Sequence, residues 1–422
     1  MSEKSVKKVV IVGGGFVGLN AAKILGGRND VEVTLIDKKN HHLFQPLLYQ
    51  VAMAGLSPAE IAVPIRSILA EHRNIQVIQD EVTGIDRENS KVETKGSAYY
   101  FDYLILACGA RHSYFGNDEW EKNAPGLKTL EQATEIRRRV LSAFEEAEKT
   151  DDRDKQRRLL TFVVVGGGPT GVELAGAIGE MSRYTLARDF RNIDAKLTRV
   201  ILLEGGDGIL PSFSPKLTSW AVRAMEELGV QVWTKSMVTC IDEEGVSVGN
   251  ERIECATVLW AAGVSGSELG RNAGLEVDRA CKVKVNPDLS IPGHTNIFAA
   301  GDMASCIGEN AKPLPGIAPV AMQQGNYLGE LIISELDGKK RRNFVYKDKG
   351  QMATIGRSRA ITEMGRIKLT GFSAWAAWLL VHIYYLAGFR NRFAVVSQWA
   401  WSYLTFRRGA RLILGKDWRF YK

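Results

Sequence analysis

The sequence predicts an α/β protein made of two Rossmann-like dinucleotide-binding domains followed by a C-terminal region of amphipathic helices. Three observations carry that expectation. A buried-strand pattern runs into a glycine-rich turn and a helical stretch at residues 8–25. The same succession returns at residues 160–173. Basic and aromatic side chains then gather near the C-terminal end, on a body that is otherwise balanced in charge. With 422 residues, 45% of them hydrophobic and 24% charged, the chain has an ordinary globular composition and the length for two or three cores.

The first motif begins with the apolar run 8–12 and continues through Gly13, Gly15 and Gly18 into a stretch of helical spacing at 19–25. Gly13 permits a tight turn, Gly15 lets the main chain approach a pyrophosphate, and Gly18 brings helix and strand together. The phosphates then meet open amides at a helix N-terminus. The next apolar run, 31–36, ends in Asp37, where a carboxylate can accept hydrogen bonds from a ribose. In the second copy, residues 160–165 lead into Gly166, Gly168, Pro169, Thr170, Gly171 and Glu173, and the run 200–203 ends in Glu204. The interval from last glycine to acid is longer here, with residues 184–197 reading as an insertion after the helix. One glycine motif is weak evidence; two with strand, helix and terminal acid in order are not.

The five cysteines, Cys108, Cys240, Cys255, Cys281 and Cys306, include no Cys-x-x-Cys, so neither a disulfide framework, a zinc site nor a redox dithiol is expected. Residues 1–8 lack the pattern of a secretory signal, and a start in the cytoplasm is expected. The net charge of +7 is localised: residues 390–422 hold Arg390, Arg392, Arg407, Arg408, Arg411, Lys416, Arg419 and Lys422 against Asp417 alone. Five of the nine tryptophans, Trp375, Trp378, Trp399, Trp401 and Trp418, lie in the same region. A basic, tryptophan-rich end on a neutral body points to an anionic lipid bilayer surface. No helix-turn-helix, zinc finger or RNA-binding signature accompanies it, so nucleic acid is not expected as a partner.

Residues 295–302, ending in Ala300, Gly301 and Asp302, resemble the two-dinucleotide-binding-domain flavoproteins, in which a late strand closing on Gly-Asp meets the ribityl chain of FAD. On that resemblance the N-terminal fold holds FAD through Gly13, Gly15, Phe16, Val17, Gly18, Asp37, Lys38, Val82, Ala107, Gly109, Gly301 and Asp302. A second fold, inserted in the first, holds NADH through Gly166, Gly168, Pro169, Thr170, Gly171, Glu204 and Gly263. Residues 104–109 and 258–263 are similar to the superfamily's two crossover strands. The implied division is an FAD domain at 1–120 and 275–330, an NADH domain at 121–274, and a C-terminal region at 331–422 with membrane-associating helices at about 372–415. Gly205 and Gly206 follow Glu204 where a 2′-phosphate would need a cation, which favours NADH over NADPH.

Three stretches, 42–58, 318–325 and 382–392, carry a narrower resemblance, over essentially the whole chain, to type II NADH:quinone oxidoreductases, the single-subunit, non-proton-pumping NADH dehydrogenases of respiratory membranes. The resemblance places Pro46 and Gln50 near the flavin ring, brings Gln323 and Gln324 toward flavin and quinone, and gives Glu173 a proton-relay role. Many members carry Ala-Gln where this chain has Ala318 and Pro319, so the quinone contact of that glutamine has no counterpart here. A homodimer on the cytoplasmic side of the cell membrane, a membrane quinone as acceptor and no metal are implied. Sulfide:quinone reduction through Cys108 and Cys306, and an NADH-binding redox sensor similar to apoptosis-inducing factor, stand as alternatives.

The stretch 372–389 has no Lys, Arg, Asp or Glu and as one helix would run roughly 27 Å, just short of a bilayer core. Val396, Trp399, Ala400, Tyr403 and Leu404 fall on one helical face beyond it. Interfacial helices are expected rather than a span.

Overall fold

The computed structural model describes residues 6–309, 311–405 and 409–415. Among the basic and tryptophan positions of the tail, Arg407, Arg408, Lys416, Arg419, Lys422 and Trp418 lie outside the described residues.

Two compact units are present, the first drawn from Met1–Leu43, Ala62–Arg111 and Val264–Lys349. Its sheet has the order Ser290–Ile291, His294–Ala299, Tyr103–Leu106, Lys7–Val12, Val31–Asp37, Ile75–Gln79. The five longer strands are parallel, with Val9 beside both Val33 and Tyr103. Strands of such a sheet are covered on both faces, which is why 9–12 is a continuous apolar run rather than an alternating one. Val9 and Ile11 pack on one side with residues from the helices Phe16–Leu25 and Ala318–Leu336. Val10 and Val12 pack on the other with Leu269, Leu275 and Met303.

The second unit comprises Phe44–Ile61, His112–Gly263 and Gly350–Lys422. It repeats the parallel design in the order Val230–Trp233, Arg199–Leu203, Thr161–Val165, Thr257–Trp260. The helix Pro169–Glu180 leaves the end of the Thr161–Val165 strand. Against that helix lies an antiparallel meander, Gln351–Gly356, Arg359–Met364 and Ile367–Thr370. The approach is close enough that a Cβ on Gly176 would sit 1.9 Å from the Ile355 carbonyl oxygen. The predicted insertion is a π-turn at Met181–Thr185 and a loop, fastened where the Glu148 carboxylate accepts from the Arg191, Asn192 and Ile193 amides.

The units differ at their edges from the divisions read in the sequence. Their boundaries fall at 111/112, 263/264 and 349/350 in place of 120/121, 274/275 and 330/331, and residues 44–61 group with the second unit. Buried Arg137 accounts for the last difference: its Nε donates to the Val51 carbonyl at 2.8 Å and its Nη2 to the Leu56 carbonyl at 2.9 Å. Residues 331–349 stay with the first unit because Arg341 pairs with Asp288 and Glu335, and the Tyr327 hydroxyl donates to the Arg342 carbonyl.

The apolar stretch 372–389 is not one helix. Gly371–Tyr385 stops before Gly388, whose φ of +84° breaks the turn, and Phe389–Thr405 follows. Fifteen residues rise roughly 22 Å. Among the described residues no helix is long and apolar enough to cross a membrane. The face expected on the second helix is also corrected. Trp399 turns inward, whereas Phe389, Phe393, Val396, Ala400 and Leu404 form an exposed row at spacings of three and four. Two of the basic side chains have internal tasks: Arg392 donates to the Leu386 and Tyr384 carbonyls at the end of the preceding helix, and Arg411 pairs with Asp189.

Candidate active site

The two glycine turns are built alike. Gly13 and Gly166 both have φ of +109°, and a Cβ there would lie 2.3 Å from the Ala107 oxygen and 2.7 Å from the Ala261 carbonyl carbon. A Cβ on Gly18 would meet the Gly13 oxygen at 1.9 Å, and one on Gly171 would meet the Gly166 oxygen at 1.8 Å. Above Gly15 and Gly168 there is open space, and no side chain caps either following helix. Each turn thus leads straight into a helix start, at Phe16 and Val17 in one and at Thr170, one residue beyond Pro169 with its missing N–H, in the other. That geometry fits the pyrophosphate of a dinucleotide. The acids are fixed as well: Asp37 accepts from the Gly14 and Lys39 amides at 2.5 and 2.6 Å, and Glu204 from the Gly167 and Gly206 amides at 2.6 Å each.

Elsewhere in the first unit, exposed Lys38 follows Asp37, and Val82 and Ala107 are buried in apolar clusters. Gly109, φ +69°, faces open space. Gly301 also needs a positive φ, +70°, and its amide donates to Gln324 Oε1 at 2.6 Å, so buried Gln324 fixes the turn that carries Asp302. Gln323 lies beside Gln324 on the same helix. Its Nε2 donates to the Lys347 carbonyl at 2.9 Å and its Oε1 accepts from the Lys347 amide at 3.0 Å, which ties down the strap at 347. Pro319 occupies the first turn of the Ala318–Leu336 helix, where a missing N–H costs nothing.

In the second unit Gly263, φ +70°, packs against Phe115 and the Ser113 carbonyl. One cavity there brings predicted residues together: Gln50 and Glu173 line it with Thr354, Trp378, Trp399 and Tyr403. Pro46 opens the short turn that leads into this wall. Glu173, Ala177 and Glu180 occupy one face of their helix, at i, i+4 and i+7, and all three reach the cavity. Burial pushes the Glu173 carboxyl up to about 8, against a weaker opposing pull from a hydrogen bond donated by the Thr354 main chain. The remaining walls are rings: Trp378 lies 5.5 Å from Trp399, Trp375 stacks on Tyr403 at 5.4 Å, and Arg357 covers Tyr403 at 4.1 Å. A neutral carboxylic acid and an amide in an aromatic chamber suit a flat, uncharged ring bearing oxygen acceptors.

The family pattern of the pyridine nucleotide-disulphide oxidoreductases matches residues 7–325. The type II NADH:quinone oxidoreductase Ndh of Mycobacterium tuberculosis is 46% identical over 418 residues, covering 95% of this chain and 89% of the relative. The chain belongs to the type II NADH:quinone oxidoreductase family. In fold it is similar to NDH2 from Plasmodium falciparum in complex with NADH, with a TM-score of 0.89 at 21% identity, covering 97% of this chain and all of that one. The sulfide:quinone oxidoreductase of Aquifex aeolicus is a more distant likeness, TM-score 0.72 at 20% identity over 92% of each chain.

Several residues of this type II enzyme carry no sequence signal of their part in the site. Arg137 sits on an amphipathic helix like any surface cation, yet it is buried and holds the main chain of 44–61. Arg137→Met removes the charged donors that hold the Val51 and Leu56 carbonyls and is expected to cost about 2–4 kcal/mol, read as a lowered denaturant midpoint. His42, also buried, reaches the Gly14 carbonyl with Nδ1 at 3.1 Å, and burial keeps it neutral with its pKa lowered to about 4. For Glu204 the expected result is nucleotide-specific. Glu204→Ala should raise the KM for NADH about tenfold and leave the KM for quinone unchanged in steady-state assays.

Proposed function

We propose that this chain oxidises NADH and reduces a membrane quinone in two half-reactions, with FAD on the first glycine turn and NADH on the second. The observation that carries the reading is the cavity in which Glu173, held neutral by burial, shares aromatic walls with Gln50. When bound, FAD supplies the two-electron chemistry that links a hydride donor to a quinone.

The chain's own residues then bind, orient and supply a proton. The amides around Gly15 and Gly168 hold the pyrophosphates, while Asp37 and Glu204 take the riboses. Gly301 and Asp302, fixed by Gln324, hold the flavin's ribityl side. The reaction NADH + H⁺ + quinone → NAD⁺ + quinol consumes one proton, and protonated Glu173 donates it to a quinone oxygen. Trp378, Trp399 and Tyr403 exclude water from the ring.

The protein attaches peripherally to the cytoplasmic side of the cell membrane and acts as a homodimer. In support of attachment, the two C-terminal helices expose Leu380, Tyr384, Phe389, Phe393 and Leu404. Sulfide as donor is disfavoured: burial pushes the Cys108 thiol up to about 12 and raises that of Cys306, so neither is a ready thiolate. Anaerobic stopped-flow tests the reading. NADH should bleach the flavin, and decylubiquinone should restore its colour; bleaching by sulfide, or no recovery with quinone, overturns it.

A further inference from the structure

Among the described residues lining the Glu173 cavity, Gln50 is the only one with an amide side chain, and its orientation is determined by chemistry as well as distance. Trp399 Nε1 lies 2.7 Å from Gln50 Oε1. An indole nitrogen only donates, so the atom facing it must be the amide oxygen and not the NH₂ group. That places Nε2 on the other side, where it donates to the Tyr49 hydroxyl at 2.9 Å. An NH₂ group carries two hydrogens, and with one given to Tyr49 the second is available to a carbonyl oxygen in the cavity. Trp399 itself comes from the Phe389–Thr405 helix, the same helix whose opposite face exposes Phe389, Phe393 and Leu404. Stacking against Trp378 fixes the indole, with centroids 5.5 Å apart.

We propose that Trp399 is a positioning residue for the acceptor: by pinning Gln50 Oε1 it turns the Gln50 amide so that Nε2–H is presented to a quinone carbonyl. Quinone affinity therefore depends on the C-terminal helix being seated against residues 49–50. The inference rests on the reading of this cavity as the quinone site. Without the indole donor the amide is free to flip, which presents an oxygen to the quinone oxygen and replaces an attraction by a repulsion. NADH oxidation by the flavin does not involve this bond.

The test is Trp399→Phe, which keeps an aromatic ring and removes the donor. Binding of decylubiquinone to the oxidised protein, measured by calorimetry without NADH, should weaken about 5- to 10-fold, the usual worth of one hydrogen bond. The KM for decylubiquinone should rise by a similar factor, while the rate of flavin bleaching by NADH stays within about twofold of the unaltered protein. Because the indole acts through Gln50, Trp399→Phe added to Gln50→Met should weaken binding no further than Gln50→Met alone. Unchanged binding in Trp399→Phe, or effects that multiply in the double variant, overturns the proposal while leaving quinone reduction standing. If the unaltered protein bleaches with NADH but neither binds nor reduces decylubiquinone, both fall together.

Discussion

Glu173→Gln is expected to slow reoxidation of the reduced flavin by quinone about 100-fold, the ordinary contribution of a positioned proton donor, and to leave flavin reduction by NADH unchanged. The amide matches the neutral carboxyl in size and polarity but has no proton to release. A stopped-flow experiment that mixes prereduced protein with decylubiquinone separates the two steps. The pH profile adds a second readout. With its pKa pushed up to about 8, the carboxyl is protonated at neutral pH and becomes a carboxylate above that value, so the quinone step should fall as pH rises through 8. The glutamine variant should lose that limb. Stability moves the same way. Burial makes the folded protein hold this proton more tightly than the unfolded chain, whose carboxyl titrates near 4.5. The favourable contribution is complete below about 4.5 and is lost progressively as pH rises to about 8. Glu173→Gln should flatten that part of the thermal-midpoint profile. A variant that reoxidises at the unaltered rate would remove Glu173 from the proton path.

The parts of the site legible in the sequence are those in which the main chain itself does the work. Gly13 and Gly166 are legible because no other residue accepts φ of +109° beside a neighbouring carbonyl group, and Asp37 and Glu204 because the end of a parallel strand puts them beside the turn. The walls of the cavity were not legible in the same way. Trp399 has the spacing to share a face with Val396 and Ala400, and a helical pattern alone does not tell a ring that meets lipid from one that meets Gln50. The deciding contact spans 349 positions in sequence. Arg137 poses the same difficulty: a cation on a helix of mixed polarity reads as solvated, and its burial depends on carbonyls 81 and 86 positions away. Gln323 shows the converse, a polar residue in a family-like stretch whose amide is matched at both ends by the Lys347 main chain.

Placing glutamate at both Phe393 and Leu404 is expected to release the protein from lipid while preserving quinone reduction in detergent. The two side chains are 69% and 78% exposed and lie on the row that also holds Phe389, at 85%. Burying one such side chain in an apolar environment gains roughly 1.5–3 kcal/mol, so losing two lowers partitioning by well over 100-fold before any repulsion from anionic headgroups is counted. Sedimentation with phosphatidylglycerol vesicles measures it, and a double variant that still pellets with the vesicles would place the attachment elsewhere. These substitutions separate attachment from catalysis where a truncation cannot. Ending the chain near residue 370 deletes Trp378, Trp399 and Tyr403 together, so it would dismantle the Glu173 cavity along with the exposed row. Phe393 and Leu404 sit across the helix from Trp399, whose hydrogen bond to Gln50 should survive their replacement. Loss of vesicle binding with turnover retained within about twofold therefore assigns the two faces of one helix to two tasks: the outer to the lipid in which the quinone dissolves, the inner to the residues that receive it.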